Sequence, residues 1–245
     1  MAEFGKRDIR STTQDNILSF LSRLTVGNKQ NTKRNRFTTL SAFFNFIINA
    51  FEPQLDNPCE TTMLKKTFKR AQIIQWNILE KEVVDEIIFR TLNPRNRIML
   101  ELMARAGMRI SEVLNLVPND VDGRKITLRN PKSGKGKEMV YIPQKLSNRL
   151  QEYIQIKAID PAIRIFPISY PAARVMVKKA GSVVGINLRT HDLRRFSATY
   201  ASRCGTPIEI VSKVILRHAN LSTTQRYLGK VSDTEAMRWI ENLYG

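Results

Sequence analysis

Apolar residues in this chain recur mostly at the three- and four-residue spacing of helices, and in only two places as short β-rich runs. The first ten or so residues carry no periodic pattern. Ile17, Leu18, Leu21 and Leu24 then share one face of a segment from Gln14 to Leu24, and Gly27-Asn28 breaks the rhythm, so a first helix is expected there. A second is expected from about Lys33 to Ala50, with Phe37, Leu40, Phe43, Phe44 and Ile47 as core candidates. It should stop at Glu52-Pro53, because the residue before a proline is steered away from helical angles. Past Asn57-Pro58 the pattern fades until Ile78, and Lys65, Lys66, Lys69 and Arg70 crowd into the gap. A domain boundary is drawn there, with residues 1–75 forming a helical domain that ends in a basic linker and residues 76–245 forming a second domain. Four such charges read either as a solvated helix face or as a linker turned toward a polyanion.

The second domain opens with helical patterns at Lys81 to Thr91 and Asn96 to Ala106, closed by Gly107, and Ser111 is placed to cap a short helix reaching Leu116. Lys125 to Leu128 and Met139 to Ile142 are β-rich and flank the Gly/Lys-rich segment Asn130 to Lys137, which predicts a hairpin with a basic loop. Helices follow at about Lys145 to Lys157, Pro171 to Lys179, Leu193 to Arg203 and Pro207 to Ile215. An amphipathic tail then runs from Ser232 to Leu243, with Ala236, Trp239, Ile240 and Leu243 on one face. The fold class expected is mainly α with a small antiparallel β-sheet.

Composition changes this picture through charge. The chain has 245 residues, of which 42% are hydrophobic, enough for a core, while 40 Lys and Arg against 22 Asp and Glu give a formal charge of +18. A surface so basic needs a polyanion, and nucleic acid leads because cationic side chains on phosphates release condensed counterions. A membrane surface is disfavoured: no run of about 18 apolar residues, export signal or long basic amphipathic segment with aromatic anchors is seen. Cys59 and Cys204 stand far apart with no CxxC or Cys/His cluster, so neither a disulfide framework nor a zinc site is suggested and a reducing cytoplasm is expected. Cys204, at a helix end, is expected to be a small apolar filler. The Gly/Lys segment lacks the spacing and the strand-to-helix setting of a phosphate-binding P-loop, and a nucleotide site is rejected.

Both histidines of the chain lie in basic settings, Thr190-His191-Asp192-Leu193-Arg194-Arg195 and Leu216-Arg217-His218-Ala219. Three residues apart at the start of a helix, His191 and Arg194 share a face suited to a phosphate, although a capping Thr190 beside an incidental histidine reads equally well in isolation. Nine residues beyond His218 lies Tyr227. The run Leu216 to Tyr227 resembles the C-terminal signature of the tyrosine recombinases, the family of phage integrases and Xer-type enzymes. His191-Asp192-Leu193-Arg194 is similar to that family's His-x-x-Arg box, and Ala106 to Leu114 resembles the box holding its first catalytic arginine, all in the family order. The likeness extends from about Ile78 to Leu228, and more weakly into the N-terminal half. That half resembles a DNA-clamping core-binding domain about one helix shorter than usual, as expected of a chain shortened at its N-terminus.

This resemblance implies a site-specific recombinase that cuts and rejoins DNA through a 3′-phosphotyrosyl intermediate without metal, ATP or any other cofactor. Tyr227 would be the nucleophile and His191 the acceptor of its proton. Arg109, Arg194 and His218 would be donors to the phosphate oxygens, the two arginines with bidentate forks, and Lys135 would protonate the leaving 5′ oxygen. Lys132 and Lys137 compete with Lys135 for that role. Further DNA contacts are expected from Lys65, Lys66, Lys69, Arg70, Lys132, Lys137, Arg195 and Arg217; the last two depart from the residues common in the family and make the site more positive. The implied partners are double-stranded DNA with paired half-sites, further copies of the chain in a tetramer, and accessory proteins. A type IB topoisomerase, which shares this chemistry without exchanging partners, and a catalytically silent DNA-binding regulator are the alternatives.

Overall fold

A computed structural model describes residues 8–71, 78–129, 136–225, 227–228 and 233–244. The chain divides into two compact units, Met1–Ile74 and Gln75–Gly245. In the first, α1 (Gln14–Leu24) is capped by Thr13, whose hydroxyl accepts the Asn16 N–H. α2 (Gln30–Ala50) begins three residues before the apolar pattern does. Its first residue is polar and held by a tertiary contact, Gln30 Nε2 donating to the carbonyls of Thr67 at 2.9 Å and Lys69 at 3.1 Å. α3 (Thr62–Thr67) was hidden by its charge. Its Leu64 and the following Phe68 close a core with Ile17, Leu21, Phe37, Phe44 and Cys59, in which the Phe37 and Phe68 rings stack at 5.2 Å. Phe37 and Phe44 are seven residues apart and so share a face, whereas Phe43 is turned largely to solvent.

In the second unit α4 (Lys81–Arg90) precedes α5 (Pro94–Arg105), which is buried on every side from Ile98 to Ala104. A helix apolar all round belongs at the centre of its unit. The one acid in that stretch, Glu101, is paired with Arg149 at 2.7 Å. α6 (Ile110–Leu114) follows, and Ser111 is not its cap: Arg109 occupies the cap position, and its N–H donates to the Glu112 carboxylate at 2.8 Å. The antiparallel sheet has the order β1 (Val121–Asp122), β2 (Lys125–Arg129), β3 (Lys137–Tyr141). Ile126 pairs with Val140 and Leu128 with Glu138, so Ile126, Leu128 and Val140 point into the core. The unexpected β1 has two residues, too few for any period to show.

α7 (Gln144–Ile156), α8 (Tyr170–Ser182) and α9 (Thr190–Arg203) lie near their expected positions. α9 starts three residues early because Asp192 accepts the Arg189 N–H at 2.9 Å. The helix expected from Pro207 to Ile215 is instead a short α10 (Ile208–Ile210) running into a π-helical turn, Val211–Ile215. α11 (Leu221–Gln225) precedes Tyr227, and the tail forms α12 (Asp233–Tyr244). Trp239 lies against Gly205 of the same unit, while Met237 and Ile240 remain exposed. Cys204 is exposed, not a core filler, since it follows the last turn of α9; Cys59 is the buried cysteine. Among the described residues no helix is long and apolar enough to cross a membrane.

Candidate active site

Three segments distant in sequence converge in the second unit: the turn leading into α6, the first turns of α9, and the stretch from the π-helical turn to Tyr227. Arg194 fastens them. Its side chain is 1% exposed, and its two terminal nitrogens donate to the carbonyls of Gly107 and Leu216, one residue before Met108-Arg109 and one before Arg217-His218. The expected free bidentate fork is therefore partly occupied, because both terminal nitrogens already hold backbone. Burial, with the charges of Arg109 and Arg217 adding to it, pushes the Arg194 pKa down to about 10, still high enough for a full charge at neutral pH. Gly107 makes the approach possible: its φ is +59°, and a Cβ there would lie 2.9 Å from Ile215 Cγ2 and 3.0 Å from the Ile215 carbonyl.

Arg109 is partly buried at the mouth of α6, where Nη1 donates to Glu112 Oε1 at 2.5 Å. The other Glu112 oxygen accepts the Arg109 N–H and, at 2.6 Å, Nη2 of Arg217. Burial alone would raise the Glu112 pKa, but the Arg217 charge followed by the bonds and charge of Arg109 lower it, so the carboxylate is ionised.

His218 is positioned by the π-helical turn. Its N–H donates to the Ser212 carbonyl at 2.9 Å, and its Nδ1 lies 3.0 Å from the hydroxyl of buried Thr224, itself 2.8 Å from the Ser212 hydroxyl. The His218 and Tyr227 rings meet edge to face with centroids 5.0 Å apart. Tyr227 is anchored by its backbone: its N–H donates to the Thr224 carbonyl at 2.8 Å, and its carbonyl accepts from Thr199 Oγ1 of α9 at 3.1 Å. Burial and the charges of Arg194, Arg109 and Arg217 push His218 down to about 4. His191, on the first turn of α9, is lowered by burial and then by Arg195, Arg194 and Arg109. Both imidazoles are thus neutral at pH 7, in a field set by arginines. Such a pocket presents N–H donors and positive charge to an anion while keeping a neutral proton acceptor.

The remaining expected residues separate into groups. Lys132 and Lys135 lie outside the described residues. Lys137 is exposed at the start of β3, opposite Arg129. Arg217, also expected to contact DNA, is 5% exposed and ion-paired with Glu112. Arg195 is also engaged internally, donating to Asp192 at 2.9 Å from a side chain 15% exposed. Lys65, Lys66, Lys69 and Arg70 are exposed and lie toward the end of the first unit. Lys65 and Lys66 form the last turn of α3, where cations suit the helix dipole, and Lys65 pairs with Glu60. Sequence reasoning passed over Glu112, Thr199, Ser212 and Thr224. Only Glu112 carried a signal, the three-residue capping interval from Arg109. Among the described residues no three His, Cys, Asp or Glu side chains gather as metal ligands.

The family described as phage integrase matches residues 77–233. The tyrosine recombinase XerA of Pyrococcus horikoshii is 29% identical over 240 residues, covering 93% of this chain and 79% of the relative. A tyrosine recombinase of Pseudothermotoga lettingae is 30% identical over 254 residues, covering 96% and 84%. Among solved structures, the Tn1549 transposon integrase in complex with transposon right end DNA superposes with a TM-score of 0.72 at 17% identity, over 98% of this chain and 88% of that one.

Proposed function

The chain belongs to the phage integrase family and is a tyrosine-type site-specific recombinase, and on that premise we propose that it breaks and rejoins DNA through a covalent bond between Tyr227 and a DNA phosphate. The observation that carries the assignment is the edge-to-face pairing of Tyr227 with His218 beside three arginines, Arg109, Arg194 and Arg217, whose charges depress that histidine. In the cleavage step the Tyr227 oxygen attacks phosphorus, the phenolic proton passes to neutral His191, and the bond to the 5′ oxygen breaks as Lys135 protonates it. Lys132 and Lys137 are the alternative donors from the same hairpin. The product is a 3′-phosphotyrosyl link and a free 5′ hydroxyl, and attack by a hydroxyl from a second duplex reverses the step without ATP.

Arg109, the Arg194 N–H groups not held by backbone, and His218 serve the non-bridging oxygens. Preorganised donors of this kind are each worth roughly 3 kcal/mol in the transition state. With that charge supplied by side chains, no metal or cofactor is assigned. Residues 1–75 act as the DNA-clamping domain, and Lys65, Lys66, Lys69 and Arg70 contact backbone phosphates. Double-stranded DNA with paired half-sites is the substrate, bound by copies of the chain that assemble as a tetramer. Two duplexes carrying different end labels and a common target site test this reading: it predicts products that combine the labels. Relaxation of supercoils with no recombined product would favour topoisomerase activity and contradict it.

A further inference from the structure

Arg217 has a backbone conformation and a setting that a surface arginine would not adopt. Its φ is +51°, in the left-handed region, where a side chain costs roughly 1 kcal/mol relative to glycine. Its side chain is nevertheless almost fully buried. Nη1 donates to the Ile215 carbonyl at 2.8 Å, Nη2 to Glu112 Oε2 at 2.6 Å, and Nε lies 3.6 Å from Glu138 Oε2 on β3. A buried guanidinium held in a strained backbone persists only where its surroundings require it. The group that it serves most directly here is Glu112, whose other oxygen is bonded to Arg109 Nη1.

With Arg217 present, Glu112 is shared between two guanidinium groups and the trio carries one net positive charge. Without it, Glu112 is left to Arg109 alone and that pair carries no net charge. At the few-ångström separations involved, a carboxylate whose one remaining cation is Arg109 competes strongly with an incoming anion for that guanidinium. We propose that Arg217 is a positioning residue of the cleavage site, which holds Glu112 and offsets its charge so that Arg109 stays available, as a cation, to the DNA phosphate. This rests on the reading of Tyr227 and Arg109 given above.

The test uses the full chain and a nicked suicide duplex, with the rate of covalent adduct formation and the DNA affinity measured separately. Arg217→Gly suits the backbone, since glycine adopts this φ without strain. It should fold, bind DNA within about twofold of wild type, and form adduct at least about tenfold more slowly. The double variant Glu112→Gln/Arg217→Gly, which also removes the Glu112 charge while keeping an amide oxygen for the Arg109 N–H, should recover at least about fivefold over Arg217→Gly. Arg217→Gly within twofold of the wild-type rate, or a double variant as slow as Arg217→Gly, would overturn the proposal; the second result would mean that Arg217 acts only through packing. If Arg217→Gly does not fold, the comparison moves to the Glu112→Gln background. There the further loss of Arg217 should leave the rate unchanged or higher, and a tenfold drop would overturn the proposal. A wild-type chain that forms no adduct at all would instead sink the reading of Tyr227.

Discussion

Burial and positive charge act on the same few side chains at the residue scale, and the two histidines register both. His218 is held near 4 and His191 is also lowered, so each has a folded-state pKa below the ordinary value of 6.5. Protonation therefore favours the unfolded chain: the stability owed to neutral imidazoles is complete above pH 6.5 and is lost as the pH falls from there toward 4. Denaturant midpoints should accordingly drop across that window, and replacing His218 with Asn should flatten the drop. A midpoint that stays level between pH 6.5 and 4.5 in the wild-type chain would contradict the assigned environment. The same shifts predict an acid limb of DNA cleavage below 6.5, because the base function proposed for His191 would survive until that imidazole is protonated.

Among the elements, the site is a join between turns more than a feature of any one helix. Gly107 before α6, the π-helical turn before His218, and Arg194 from α9 meet where a single Cβ would intrude. Gly107→Ala would place a methyl group against Ile215 in a left-handed backbone, and it should cost about 1–3 kcal/mol in an unfolding titration and slow cleavage with it. A loss under about 0.5 kcal/mol would show that the turn can yield. What could be read beforehand follows the same division. The helices with a broad apolar face were legible, α1 to its end residues, and so was the order of the boxes carrying Arg109, His191, Arg194, His218 and Tyr227. The short pieces were not, since α3, β1 and α11 are too brief to show a period, and the π-helical turn differs from an α-helix by one residue in the span of its hydrogen bonds. Nor could spacing reveal that Arg217 and Arg195 turn inward. That depends on Glu112, Glu138 and Asp192, which reach them across the fold or from the N-terminus of the same helix.

For the whole molecule, a charge of +18 is consistent with a polyanionic substrate, yet the arginines nearest the candidate chemistry are already committed to carbonyls and carboxylates. On the proposed reading, general affinity for DNA therefore belongs to exposed lysines and arginines, and cleavage to a small, preorganised, mostly buried set. Tyr227 joins the two, half-buried beside His218 and held by the backbone of the segment that carries both. The most direct test is to trap the protein on a nicked suicide duplex, digest the adduct and locate the modified peptide. The account predicts a DNA-linked peptide containing Tyr227, and no covalent complex from Tyr227→Phe, which should still bind DNA with unchanged affinity. A covalent complex that persists in Tyr227→Phe, or a DNA-linked peptide that maps to another residue, would contradict it.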